Sequence, residues 1–224
     1  AGSLALTLPT GGFSSILEES PIPLNQKYIL KGFNKEQEEY PSLVSDGIGN
    51  MWIYALRRKS YPEDTEEISA FHYDGNNWEE AGTVSPTAGC FEAPAAACAK
   101  GGLPVIAWTE IRDDKWRISA AHKTAKGYSN PHTFSVSKGK SVNPVILASE
   151  KNRSWVAWEN LYHGRLTIYI SKLENGLWSE PVVIEKKEQS CFDPALAEAK
   201  NGDLYVAYGF NQGYHQNIEM AVLD

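Results

Sequence analysis

Two acids, three arginines and two tyrosine–histidine pairs carry most of the chemistry that this sequence can offer. Glu110 and Glu159 are a carboxylate pair of the type that serves glycoside hydrolysis, one protonating a leaving oxygen while the other attacks or activates water. Tyr162-His163 and Tyr214-His215 supply phenol and imidazole bases. With Arg112 to neutralise a carboxylate, they suit removal of a proton beside a uronate carboxyl group. The catalytic candidates are therefore His163, Tyr162, His215, Tyr214, Glu110 and Glu159. Binding without catalysis is the leading reading, because guanidinium groups pair with carboxylates in two bonds and aromatic rings stack on sugar faces. That reading takes Arg57, Arg58, Glu110, Arg112, Glu159, Tyr162, His163, Asn211 and Tyr214 as ligand contacts. The ordinary alternative for each is a solvated loop residue.

These residues share a period. Pro94, Pro144 and Pro194 are spaced by 50, with Pro41 a further 53 upstream. Trp108, Trp158 and Tyr208 keep the same interval, as do Ile68, Ile118, Ile168 and Ile218, and Trp78, Tyr128 and Trp178. Each unit reads as four short strands. Strand one starts at the proline, and strand two follows a Gly/Asn turn, as in Val105-Ile-Ala-Trp108. A longer polar loop leads to strand three at the isoleucine, and a turn such as Asp74-Gly75-Asn76-Asn77 opens strand four. This predicts an all-β chain, a β-propeller of four-stranded antiparallel blades. The blades fall at 39–89, 90–139, 140–188 and 189–224, after an N-terminal segment 1–38, in one domain spanning 1–224. The last unit lacks a fourth strand, and Gln26–Gly32 reads as an unattached one, with Tyr28 lying 50 before Trp78. Either that segment closes a four-bladed ring, or the chain is a piece of a larger propeller. In a propeller the two-to-three loops and the blade-to-blade connections gather on one face, and all the candidates above fall there.

Composition narrows the partners. A net charge of −7 argues against nucleic acid, which needs clustered cations. No apolar run approaches the roughly 18 residues of a membrane span. The first residues lack the basic region and long apolar core of a signal peptide, so the chain is cytosolic or has lost a leader. No cofactor is implied: there is no glycine-rich phosphate loop before a helix, no His-x-x-x-His and no close cysteine pair. Asp46-Gly-Ile-Gly-Asn50 is explained by turn chemistry rather than by calcium. Cys90, Cys98 and Cys191 leave room for one disulfide, but free thiols are expected.

Asp74-Gly75-Asn76-Asn77-Trp78, Asn175-Gly176-Leu177-Trp178-Ser179-Glu180-Pro181 and Gly202-Asp-Leu-Tyr-Val-Ala-Tyr208 resemble the sialidase-like, Asp-box (BNR-type) propeller repeats. The similarity covers roughly residues 39 to 224 and differs from the box in having Asp74 and Gly75 adjacent. It implies the propeller fold and an extracytoplasmic setting (periplasmic, secreted or cell-surface), as in bacterial proteins that handle polysaccharides. It also implies a carbohydrate partner, acidic sugars included, or another protein bound by an accessory propeller. A polysaccharide-active hydrolase or uronate-directed lyase on the same face is the alternative. A sialidase proper would need a full set of three arginines with a Tyr/Glu pair, and Arg57, Arg58 and Arg112 do not complete it at matching positions.

Overall fold

A computed structural model describes residues 36–59, 65–85, 89–92, 94–149 and 153–223, all in strands and turns. The first sheet runs β1 (Glu36–Ser45), β2 (Met51–Lys59), β3 (Thr65–Tyr73) and β4 (Trp78–Thr83) in that order. In the second, β5 (Cys90–Phe91) and β6 (Ala95–Ala97) together line one side of β7 (Val105–Arg112). β8 (Lys115–Thr124) follows, with β9 (Gly127–Tyr128) and β10 (His132–Thr133) on its outer side. The third sheet is β11 (Lys140–Ser149), β12 (Arg153–Tyr162), β13 (Arg165–Glu174), β14 (Leu177–Trp178) and β15 (Val182–Ile184). The fourth has three strands among the described residues, β16 (Cys191–Glu198), β17 (Leu204–Gln212) and β18 (His215–Leu223). Every pairing is antiparallel, and the repeated four-strand order is that of propeller blades. The expected closing strand at 26–32 lies outside the described residues.

The sequence makes the second strands of the two inner blades, β7 and β12, apolar because they are covered on both faces. Residues 105–110 and 154–160 are buried without a break. Side chains alternate across a strand, so each of these two strands feeds two cores. Ile106 and Trp108 join Tyr54, Ile68 and Phe91 between the first and second blades. Ala107, between them in sequence, faces the third blade with Ile118, Phe134, Val156 and Trp158. Trp155 and Ala157 turn the other way, to Leu204, Val206 and Tyr208 of the fourth. The period-50 tryptophans are the fillers of the space between blades, and Trp158 is packed by Phe134 at a ring distance of 4.9 Å.

In the first, third and fourth blades the repeated proline marks a bulge within strand one rather than its start. β1 and β11 begin several residues before Pro41 and Pro144, and the register slips at Glu39/Ser42, Val142/Val145 and Phe192/Ala195. The residue before each proline has positive φ: 54° at Tyr40, 53° at Asn143 and 51° at Asp193. A bulge leaves a residue unpaired, so a proline without an N–H is accommodated there.

The turns between strands one and two tie neighbouring blades. Asp46 Oδ1 accepts from the backbone N–H groups of Ile48 and Asn50, while Oδ2 accepts from the Asn50 amide. Its carbonyl accepts from Gly101 N–H of the next blade at 2.7 Å. Burial works against the Asp46 charge, but the hydrogen bonds from Asn50, Ile48 and Gly49 outweigh it and hold the carboxyl below its ordinary range. A depressed carboxylate stabilises the fold above its unfolded value and loses that contribution as pH falls through the folded one. Asp46→Ala is therefore expected to cost about 1 kcal/mol at neutral pH. In urea titrations the gap between wild type and variant should close as pH drops below roughly 4. A gap that stays constant down to pH 2 would contradict this account.

Candidate functional site

In the second, third and fourth blades the polar stretch between strands two and three is not a loop. The strands continue through it, and only two-residue turns separate them: Asp113-Asp114, His163-Gly164 and Gly213-Tyr214. Both turn residues have positive φ at Asp113 (52°) and Asp114 (58°), and at His163 (50°) and Gly164 (74°). That is the tight hairpin geometry whose twist matches the strands. Arg57, Arg58, Glu110, Arg112, Glu159, Tyr162 and Asn211, expected on loops, thus stand in ladder positions of β2, β7, β12 and β17. Of the candidates, His163 and Tyr214 occupy turns, and His215 opens β18.

Register decides which candidates correspond. Arg112 pairs with Lys115 and Tyr162 with Arg165, so both close their hairpins and are equivalent, as expected. The two Tyr–His pairs are not equivalent. Tyr162 is the last residue of β12, but Tyr214 lies in a turn, and Gln212 takes the position of Tyr162. Glu110 and Glu159 are likewise one step out of phase, since Thr109 and Glu159 both pair with the repeat isoleucine, Ile118 or Ile168. They therefore project from opposite sides of their sheets.

Each of these acids already has partners. Glu159 is buried; it accepts from the Asn143 amide at 2.7 Å and from the Asp193 backbone N–H at 2.6 Å, joining the bulges of the third and fourth blades. Glu110 accepts from Ser119 Oγ at 2.8 Å and pairs with Arg112 at 2.6 Å. The structure does not bring the two together as an acid–base pair. Arg57 is corrected more sharply. Its side chain is 3% exposed, enclosed by Glu80 at 2.6 Å, Glu38 at 3.0 Å and Glu67 at 3.5 Å. Burial opposes its charge, but the hydrogen bonds to Glu80 and Glu38 prevail and hold the guanidinium above its ordinary value. It is a strand-locking cation, not a ligand contact on an open face.

Two cavities open beside these hairpins. The first, about 370 Å³ between the first two blades, is lined by Tyr40, Arg58, Glu66, Cys90 and Glu92 with apolar neighbours. There Arg58 holds Glu66 at 2.7 Å, and the other Glu66 oxygen accepts from Phe91 N–H at 2.9 Å. The second, about 460 Å³, lies between the second and third blades and is lined by Lys115, Trp116, Arg117 and Lys138 among others. The sequence reading passed over these four, although Lys115-Trp116-Arg117 directly follows a hairpin turn. Tyr162 stands beside this cavity: its ring lies 4.0 Å from that of His163 and carries the Lys138 ammonium at 5.8 Å. Asn211, Tyr214 and His215 are exposed at the end of the last hairpin. All three cysteines are free, with Cys90 exposed and Cys191 buried. Burial, and then the charge of Asp46, push the Cys98 thiol up to about 11.

No family model and no curated protein sequence matches the chain. Solved structures do match. A protein of unknown function from Dyadobacter fermentans superposes with a TM-score of 0.57 at 14% identity, over 84% of this chain and 66% of that one. The Trypanosoma rangeli sialidase gives 0.56 at 12% identity, over 83% of this chain and 36% of the sialidase. The Penicillium chrysogenum alpha-L-arabinanase, complexed with arabinobiose, gives 0.54 at 14% identity, over 83% and 62%. The chain spans less than two thirds of each. At these identities the likeness is one of fold, and the sialidase-like propeller architecture is established by it.

Arg57→Ala would leave three carboxylates, of which Glu80 is exposed, without their shared cation. The expected loss is about 2–3 kcal/mol, read as a shift of the urea midpoint at unchanged slope. Arg58→Ala, whose side chain is 46% exposed, should move the midpoint far less. Equal effects would mean that the buried network does not hold the first blade.

Proposed function

We propose that this chain is a carbohydrate-binding propeller that receives a glycan on the face formed by its strand two-to-three hairpins. The observation that carries the reading is the cleft between the first two blades. It presents a guanidinium, two carboxylates and a phenol, from Arg58, Glu66, Glu92 and Tyr40, around one cavity. Sugars need such a mixture, since hydroxyls donate and accept in several directions while the ring carbons want an apolar wall. Arg112 and Tyr162, at equivalent ends of adjacent hairpins, extend the same face. The arabinanase and sialidase folds lend support by analogy, and an extracytoplasmic setting suits a ligand of this class.

A hydrolytic reading has one observation in its favour: Glu66 and Glu92 line a common cleft, which Glu110 and Glu159 do not. In that reading Glu66, positioned by Arg58 and the Phe91 N–H, serves as base or nucleophile, and Glu92 as the acid.

Glycan-array binding followed by calorimetry on Arg112→Ala and Tyr162→Ala separates these cases. Binding predicts roughly tenfold weaker affinity for each variant, about 1.4 kcal/mol, with the melting temperature unchanged and no sugar released. Release of reducing ends by wild type, abolished in Glu92→Gln, would move the conclusion to the hydrolase. Unchanged affinity in both variants would remove the hairpin ends from the site.

A further inference from the structure

The cavity between the second and third blades is cationic. Lys115, Arg117 and Lys138 line it, Lys140 stands over the Trp116 ring at 4.9 Å, and no acid is among its lining residues. Elsewhere Arg57, Arg58, Arg112, Arg153, Lys172 and Lys186 each face a carboxylate. Among the described residues, the four cations around this cavity form no ion pair. They gather in a chain whose net charge is −7. Like charges lining one concave surface repel. A counter-charge brought by a ligand relieves that repulsion.

The cavity is also built to a fixed shape. Gly139 has φ 98°, and a Cβ there would come within 2.7 Å of the Asn160 amide and of the Leu161 carbonyl, so only glycine fits. The buried Asn160 donates to the Lys138 carbonyl at 3.0 Å and accepts from Ser141 Oγ at 3.3 Å. Lys138 is thereby placed by its backbone, before any ligand arrives. Trp116 and the buried Phe134 add an aromatic wall.

We propose that this cavity is a subsite for an anionic sugar residue, bearing a carboxylate or a sulfate; the proposal rests on the glycan reading above. Arg117 offers a planar fork to the charged group, while Lys115 and Lys138 act as point charges beside it. The sugar ring lies against the Trp116 wall. The site continues the proposed glycan face, because Lys115 is the register partner of Arg112 and the Lys138 ammonium sits over Tyr162.

The test is calorimetry on the whole chain with length-matched oligosaccharides: a galacturonate oligomer, a sulfated galactan oligomer and a neutral arabinan oligomer. Wild type should bind at least one charged oligomer ten or more times tighter than the neutral one at low salt, with the advantage shrinking as salt rises. The double variant Lys115→Gln/Arg117→Gln, and separately Lys138→Gln, should lose that advantage and keep the neutral affinity and the melting temperature. Which charged oligomer responds distinguishes carboxylate from sulfate. Equal affinity for charged and neutral oligomers overturns the proposal and leaves the glycan reading standing; absence of binding to all three removes both. Inorganic sulfate that binds as tightly as the charged oligomers, or single-stranded DNA that binds tighter, also overturns it in favour of a plain anion site or a nucleic-acid surface.

Discussion

Two middle strands of this propeller, β7 and β12, are covered on both faces, and that constraint decides what nearly every residue in them can be. A strand with one wet side tolerates polar residues at alternate positions; one between two blades tolerates few. The solution is an alternation of size. Ile106 and Trp108 fill the gap toward the first blade while Ala107 leaves room for Trp158 arriving from the third. Truncating either tryptophan would open a cavity that no neighbour can close, because sheets do not slide past one another without losing their ladders.

Several polar groups inside such a stack find partners across the blade boundary. Glu159 bonds to the Asp193 N–H, Glu66 to the Phe91 N–H and Ser42 to the Ala96 N–H, each reaching from one blade to the first strand of the next. At Asp193 it is the bulge before Pro194 that leaves the N–H unpaired within its own sheet. Acids that stand out in the sequence as chemical candidates are, in these positions, the links that keep successive blades in phase. Glu66 does both jobs at once, since its second oxygen faces Arg58 in an open cleft.

The repeat made the fold legible. Proline, tryptophan and isoleucine registers fixed strand order and blade character, because spacing survives where identity does not. The site was less legible for three physical reasons. The sequence pattern groups Glu110 and Glu159 as loop residues of one propeller face, yet they stand two and one residues past Trp108 and Trp158, and a one-residue offset reverses a side chain in a strand. The polarity of Glu110 to Lys115 suggested a loop, whereas paired strands exposed at their tips read equally polar. And whether a cation is enclosed like Arg57 or unpaired like Arg117 depends on neighbours brought in from other strands, which no local pattern records.

The two-residue turns have a further consequence for whatever the hairpin face meets. Long loops recognise by moulding themselves, and the cost of ordering them is borne at each encounter. Here the side chains at the hairpin ends, Arg112 and Tyr162 among them, stand on ladder positions, at spacings set by strand rise and by the angle between blades. Such a surface is a ruler: under the proposed function it would match a polymer of regular units better than a single unit of the same chemistry.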